Sequence, residues 1–558
     1  MFETVLPPAL LFYLAAALIA WGPSRAARPL ALLAPLAALA LVWGVGDGVR
    51  GTVPLLGWEA VWLEGDAVRR LFATIFAIMA FGGALFALRQ APRREIAAAL
   101  AYAGSAVGVC FAGDLLVLFV FWELMALFST LVIWHGGTPT ARRAGLRYAV
   151  LHLLGGVLLK AGILAVWVQT GSLEVRALTG GDWPAVLVLA GVLINAAAPP
   201  VSAWIADAYP EATPWGAVFL SAFTTKTAVL ALILLFPGEP ILVWVGLWMI
   251  FYGILYALLE NDMRRILAYS VVNQVGFMVV GVGIGSALAI NGAAAHAFTH
   301  ILYKALLFMS AGAVLYQTGR RKCSELGGLF QSMPLTTVCG TVGALSISAF
   351  PLTSGFVSKS LTVGAAAGQG LTGVWLALVA ASAGVFLHAG IKFPWFVFFQ
   401  KDSGLRPPDP PWNMRWAMVL FSLACLLLGV FPGLLYALLP APVDYVPYTA
   451  EHVVTQLQLL LFAGLAFFVM LPLMRRTPTI TLDFDWFWRV AGPRVYRALL
   501  TVLAKAGAAA RRLFETAAVG LRAVPVGRGA RETTAMALLV LLVFALQLGL
   551  ALFCSSTG

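Results

Sequence analysis

Residues 295–315 read AHAFTHILYKALLFMSAGAVL. That length of apolar sequence is one membrane crossing as a helix. It carries three ionisable side chains, His296, His300 and Lys304, at steps of four residues. Steps of four place them along one helix face. A charged group at the bilayer centre costs ~2.5–3.5 kcal/mol on insertion scales, so a span that keeps three of them points to charge movement rather than to anchoring.

The rest of the chain repeats this pattern. Of 558 residues, 61% are hydrophobic and 11% charged, with a mean hydropathy of +0.92. Soluble domains are about 25% charged, so the composition specifies an all-α polytopic membrane protein. The apolar runs are continuous rather than alternating, which excludes a β-barrel. Apolar windows fall near 6–21, 29–47, 68–88, 96–112, 113–134, 145–168, 184–205, 214–236, 240–259, 265–286, 290–317, 334–350, 356–398 (broken), 414–437, 454–475 and 534–553. They predict about 14–16 transmembrane helices. Asp66 and Asp114 stand at span starts, where a helix N-terminus favours negative charge. The first span has no basic leader and no small-residue cleavage site, and reads as a retained helix.

The net charge of +12 lies mainly in alternate loops, among them Arg89, Arg93 and Arg94; Arg142, Arg143 and Arg147; Arg320, Arg321 and Lys322; and Arg475 and Arg476. The positive-inside rule puts these loops in the cytoplasm, in a bacterial inner membrane, with both termini outside. The charge is therefore not a nucleic-acid signal. The five cysteines, Cys110, Cys323, Cys339, Cys425 and Cys554, have no metal-ligand spacing and read as buried thiols. No phosphate-binding loop, dinucleotide fingerprint or zinc motif is present, so no cofactor and no metal is expected.

Three parts follow from the chain's texture: N-terminal helices over 1–112, a core over 113–440, and a C-terminal part over 441–558. The last contains a basic segment at about 482–523, where Arg494, Arg497, Lys505, Arg511 and Arg512 oppose Leu499, Leu500, Leu503 and Leu513. Such a helix lies along a membrane surface near anionic lipid head groups.

Other spans bury charge too. Glu123 lies in DLLVLFVFWELMALF (114–128) and Lys160 in LLGGVLLKAGILAVW (153–167). Lys226 lies among threonines in FTTKTAVLALILLF (223–236). Lys392 follows His388 by one turn and precedes Pro394, and proline breaks a helix where it lines a cavity or ion site. A buried lysine can titrate near neutrality, and histidine titrates there unaided. Asp262, Arg264 and Arg265 in NDMRRILAYS (261–270) read as a surface ion cluster, with Asn273 and Gln274 deeper. Two histidines one turn apart also fit a metal, but no carboxylate or cysteine accompanies them.

Taken together, DLLVLFVFWE (114–123), PPVSAWIADAYPEATP (199–214), TTKTAVLAL (224–232), NDMRRILAYS, HAFTHILYKALLFMSAG (296–312) and PLTSGFVSKS (351–360) resemble one family. It is the antiporter-like family shared by Mrp-type multisubunit cation/proton antiporters and respiratory complex I, with the D-type subunit of the Mrp antiporters the nearest pattern. The resemblance implies two inverted five-helix repeats, each with a discontinuous helix, and a midplane line of charged residues. By position it implies Glu123 as the first half-channel glutamate, Lys226 as its central lysine, His296 and His300 as linking histidines, and Lys392 as the terminal lysine. Where the family carries a lysine that partners the glutamate, this chain has Asn195. Lys160 is the expected replacement partner for Glu123.

The function expected is a proton-translocating subunit of a multisubunit Na+/H+ antiporter, relaying protons through Glu123, Lys160, Lys226, His296, His300, Lys304 and Lys392. Its expected partners are other hydrophobic subunits of an Mrp-type or complex I-like assembly, protons, a monovalent cation and membrane lipids. The alternatives are a pumping subunit of a redox-driven complex, as in a complex I relative or membrane hydrogenase, and a non-conducting scaffold.

Overall fold

The computed structural model describes residues 6–22, 24–55, 58–473 and 483–522. The expected span at 534–553, the basic pair Arg475 and Arg476, and Cys554 lie outside the described residues. Two units are distinct, Met1–Phe484 and Asp485–Gly558.

The first unit opens with α1 (Pro8–Trp21) and α2 (Ser24–Gly44), then a hairpin of β1 (Gly48–Leu55) and β2 (Trp58–Gly65). There follow α3 (Ala67–Ala87), α4 (Arg93–Phe111), α5 (Leu115–Trp134), α6 (Pro139–Thr170), α7 (Trp183–Asn195), α8 (Ala203–Ala208), α9 (Gly216–Leu220) and α10 (Thr224–Leu235). The second half holds α11 (Ile241–Leu259), α12 (Met263–Ile284), α13 (Ala287–Thr318), α14 (Pro334–Ile347), α15 (Ser354–Gly368) and α16 (Thr372–Val385). Two π-helical stretches, Phe386–Lys392 and Trp395–Phe399, come next. Then come α17 (Trp412–Val430), α18 (Gly433–Tyr436) and α19 (Ala450–Val469). Among the described residues, twelve helical stretches are long and apolar enough to cross a membrane. The chain is a multi-pass, all-α membrane protein.

Helices start where capping side chains stand. Asp66 accepts from the Arg69 amide at 2.8 Å and Asp114 from the Val117 amide at 2.7 Å, as the span starts in the sequence imply. Thr138 and Ser286 cap α6 and α13 in the same way. The core is built on α12 and α13, whose residues are almost all buried. Close approach of α11 and α12 depends on two glycines: a Cβ on Gly246 would stand 2.7 Å from the Gly276 carbonyl, and one on Gly276 would stand 2.6 Å from the Gly246 carbonyl.

The structure departs from the sequence expectation in four places. The hairpin at 48–65 falls between two apolar windows, which mask its short alternation. Residues 356–398 form two helices turned at Gly370 rather than one broken span. The window at 214–236 is interrupted at Ser221–Phe223.

Finally, Asp262 and Arg264 are not on the surface: both are buried. The Arg264 guanidinium donates to the carbonyls of Tyr209, Pro210, Ala212 and Thr213 and so holds the turn ahead of α9. Asp262 caps α12 and pairs with Arg321 at 2.9 Å.

The cysteines expected to be buried thiols are so at Cys110, Cys323, Cys339 and Cys425. In the second unit, α20 (Gly492–Arg522) is a continuous helix despite Gly492, Pro493 and Gly507. Its basic residues Arg494, Arg497 and Lys505 and its apolar residues Leu499, Leu500 and Leu503 are all exposed.

Candidate functional site

Three helix breaks organise the buried charge. The first follows α7, where Ala197 adopts φ 63° and Pro199 follows two residues on. The second follows α14, where Ala349 adopts φ 56° and Pro351 follows two residues on. A helix end leaves carbonyls without internal partners. At the first break the Ile194 carbonyl accepts from the Trp204 indole at 3.1 Å; at the second, the Ile347 carbonyl accepts from the Lys359 ammonium at 2.7 Å. The two breaks are built alike, as an internal repeat requires. The third, between α9 and α10, frees the Ser221 carbonyl, which accepts from Lys226 Nζ at 2.6 Å; Thr225 Oγ1 accepts from it at 3.1 Å. Cations are favoured at such C-terminal carbonyls.

Lys226, His296, His300, Lys304 and Lys359 are all fully or almost fully buried. The His296 and His300 rings are 6.2 Å apart, and the His300 ring is 5.3 Å from Tyr303. His296 bonds Ser358 through Nδ1 at 3.1 Å and Gln274 through Nε2 at 3.2 Å. Neither His300 nitrogen has a hydrogen-bond partner among the described residues. Lys304 donates to the Leu267 carbonyl at 3.3 Å. Lys359 Nζ also lies 5.0 Å from the centre of the Phe277 ring.

These groups are within electrostatic reach of one another. His300 feels Lys226, Lys304, His296 and Lys359. His296 feels Lys359 and Lys226, and Lys304 feels Lys226 and Lys359. At ~10 Å and an effective dielectric of ~20, two unit charges interact by about 1.7 kcal/mol. A proton added to one group therefore discourages a proton on the next. Together they form a line of buried, electrostatically coupled titratable groups from α10 through α13 to α15.

The sequence-predicted residues are not all in that line. Lys226, His296, His300 and Lys304 are. Lys392 sits in the π-helical stretch and donates to the carbonyls of Ala257, Leu258 and Glu260 at 2.7, 2.7 and 2.6 Å, closing the C-terminus of α11. It connects to the line through His388, which feels Lys304, Lys392 and Lys359. Lys359 stands nearer the linking histidines, although in the sequence it is marked only as part of PLTSGFVSKS. A single lysine in an otherwise uncharged helix is the signal that could have found it.

Glu123 is half-buried at the α5–α6 contact. Its Oε1 lies 1.9 Å from where a Cβ on Gly156 would stand, and has no hydrogen-bond partner among the described residues. Glu123 feels Lys160 electrostatically, but Lys160 is exposed on the outer face of α6, with Nζ 5.9 Å from the centre of the Phe119 ring. Asn195 is fully buried, and neither amide atom has a hydrogen-bond partner among the described residues. His152, which no motif in the sequence marks, is 1% exposed and lies on the inner face of α6. Among the described residues no group of three His, Cys, Asp or Glu side chains could hold a metal.

A family model described as "NADH:quinone oxidoreductase/Mrp antiporter, TM" matches residues 112–386. That segment, just under half of the chain, carries the family's pattern. It is 33% identical over 367 residues to the A/B subunit of a probable K(+)/H(+) antiporter of Rhizobium meliloti, covering 61% of this chain and 36% of that protein. It is 33% identical over 272 residues to the D-type subunit of the Na(+)/H(+) antiporter of Alkalihalophilus pseudofirmus, covering 45% of this chain and 55% of that one. The match thus spans between a third and just over half the length of these relatives. In fold it is similar to a chain of the membrane-bound sulfane sulfur reductase, an archaeal respiratory membrane complex. The TM-score is 0.74 and the identity 23%, over 97% of this chain and 99% of that one. The family match takes in Glu123, Lys226, both histidines, Lys304 and Lys359.

Proposed function

We propose that this chain is the proton-translocating subunit of a multisubunit monovalent cation (Na+)/H+ antiporter, working in the manner of the Mrp D-type subunit. The observation that carries the reading is the coupled line Lys226, His300, His296, Lys304 and Lys359, buried and within electrostatic reach of one another. A lysine held on a helix-break carbonyl has an acceptor at hand when charged and can still donate an N–H to it as a neutral amine. Protons enter from the Glu123 side, reach Lys226, pass the histidines and leave beyond Lys359 or, through His388, beyond Lys392. The exchanged cation is handled with partner subunits, which are other hydrophobic chains of an Mrp-type assembly.

The whole-chain fold likeness to a respiratory complex supports a second reading, a redox-driven pumping subunit. Purification from native membranes in mild detergent with mass spectrometry separates the two. Small hydrophobic subunits and a larger antiporter-like one support the antiporter. Iron–sulfur or flavin subunits support the redox pump. Proton uptake into proteoliposomes of the purified assembly then tests the relay. Uptake that survives Lys226→Ala leaves only the scaffold.

A further inference from the structure

The first half of the molecule lacks a buried cation at Asn195, and Lys160 faces outward. Glu123 and Lys226 must then be joined by something else. Along α6, Tyr148, His152 and Gly156 follow at steps of four, a rise of ~6 Å each, on the buried face. Each step meets a different polar group. Gly156 carries the Glu123 carboxylate against it. The His152 ring stacks on Tyr148 at 3.9 Å and meets Trp204 edge-on at 4.6 Å. The Tyr148 hydroxyl bonds Ser129 at 2.9 Å and Thr224 at 3.3 Å; Thr224 in turn bonds Tyr102 at 2.6 Å, and its neighbour Thr225 accepts from Lys226.

His152 has the chemistry to fill the gap. Its Nδ1 lies 2.9 Å from the Tyr148 carbonyl. A carbonyl only accepts, so Nδ1 carries the hydrogen and Nε2 presents a bare lone pair in the neutral ring. That Nε2 is buried and has no hydrogen-bond partner among the described residues. Other polar atoms in the first half of the molecule are in the same condition: Glu123 Oε1, Trp122 Nε1, both Asn195 amide atoms and Thr227 Oγ1. Buried polar atoms are normally satisfied by protein or ordered water.

We propose that His152 is the proton-relay group between Glu123 and the hydroxyl network that reaches Lys226. The inference rests on the proton-translocating reading above. The proton leaves the Glu123 carboxyl and binds His152 Nε2, making an imidazolium whose Nδ1–H stays on the Tyr148 carbonyl. It leaves from Nε2 toward the Tyr148 and Thr224 hydroxyls. Only O–H and N–H bonds exchange, with water carrying the proton between groups that do not bond directly. Titratable groups about the ring are Tyr148 of α6, stacked on it, and Tyr209 beyond Trp204, with Tyr102 of α4 joined to Tyr148 through Thr224; Glu123 with Lys160 stands at one end of the path and Lys226 of α10 at the other.

The test uses the purified assembly in proteoliposomes. His152→Asn keeps a donor toward the Tyr148 carbonyl, and His152→Gln places an amide near Nε2; neither can carry the proton. Both are expected to lower proton uptake at least tenfold at wild-type levels of assembled protein, and to change the pH profile of uptake. Uptake and pH profile like wild type in both variants, in preparations where Lys226→Ala abolishes uptake, overturn the proposal. Histidine-selective 15N NMR supplies a reading independent of transport. The His152 signal, assigned by its loss in His152→Asn, is expected to titrate with a midpoint that moves in Glu123→Gln. A ring that stays in one neutral tautomer from pH 4 to 8, indifferent to Glu123→Gln, overturns the relay even if the assembly proves to transport no protons.

Discussion

Lys226 Nζ donates to the Ser221 carbonyl at 2.6 Å, across the break between α9 and α10. The break makes the site: a continuous helix would have used that carbonyl on its own amide ladder. The lysine is thus held by one strong backbone acceptor and one hydroxyl, and among the described residues no carboxylate pairs with it.

Lys226→Arg is therefore expected to fail as badly as Lys226→Ala. A guanidinium keeps its charge at every accessible pH and its fork does not match a single carbonyl. Proton uptake by proteoliposomes should fall at least tenfold in both, with assembly intact.

Gly156→Ala tests the α5–α6 contact. Its Cβ would collide with Glu123 Oε1. Overpacking costs about 1–3 kcal/mol, and the carboxylate must leave its place. The expected outcome is a lower melting temperature in detergent and transport as poor as in Glu123→Gln. Melting and uptake both at wild-type values would show that the carboxylate moves aside without consequence.

Lys359 and Lys392 should separate by readout. Lys359→Ala removes a member of the line next to His296 and is expected to cut proton uptake at least tenfold. Lys392→Ala strips three carbonyls at the end of α11 of their donor. An unsatisfied buried group costs about 1–3 kcal/mol, so its larger effect should be on thermal stability. The reverse ranking would make Lys392 the relay terminus.

Arg264→Lys is expected to destabilise by about 2 kcal/mol or more, since one ammonium cannot serve four carbonyls spread over 209–213. Thermal unfolding in detergent measures it, and an unchanged midpoint would mean that water replaces the clamp.

At the α11–α12 loop, burial pushes the Glu260 carboxyl up, but Arg265 and the Asp262 and Asn261 amides outweigh it and hold it below its ordinary 4.5. A depressed acid stabilises the fold above its unfolded value and stops doing so as pH falls through its folded value. Stability should therefore decline as pH drops below ~4.5, and less steeply in Arg265→Gln, whose stability at neutral pH is already reduced. Melting curves at several pH values check both slopes.

Much of this protein was legible in its residues. Apolar runs of crossing length fix where helices lie, because a bilayer leaves the backbone no other partner. Asp66 and Asp114 announce helix starts for the same local reason. His296, His300 and Lys304 are legible as one face, since four residues make about one helical turn. What the sequence could not decide is which charges meet across helices. The sequence marks Lys392 for a relay without showing that its ammonium closes the end of α11, and it marks Lys359 only as part of a polar helix start, although that lysine faces Phe277 beside His296. Lys160 faces outward while His152, two turns earlier, turns inward; four-residue steps drift by about 40° each, so periodicity alone cannot say where a face ends. Helix breaks have the same status. A Pro marks two of the three bends, but the freed carbonyl becomes a lysine site only when the helix after the break, α10 or α15, carries its ammonium back onto it, and that is a fact of packing rather than of sequence.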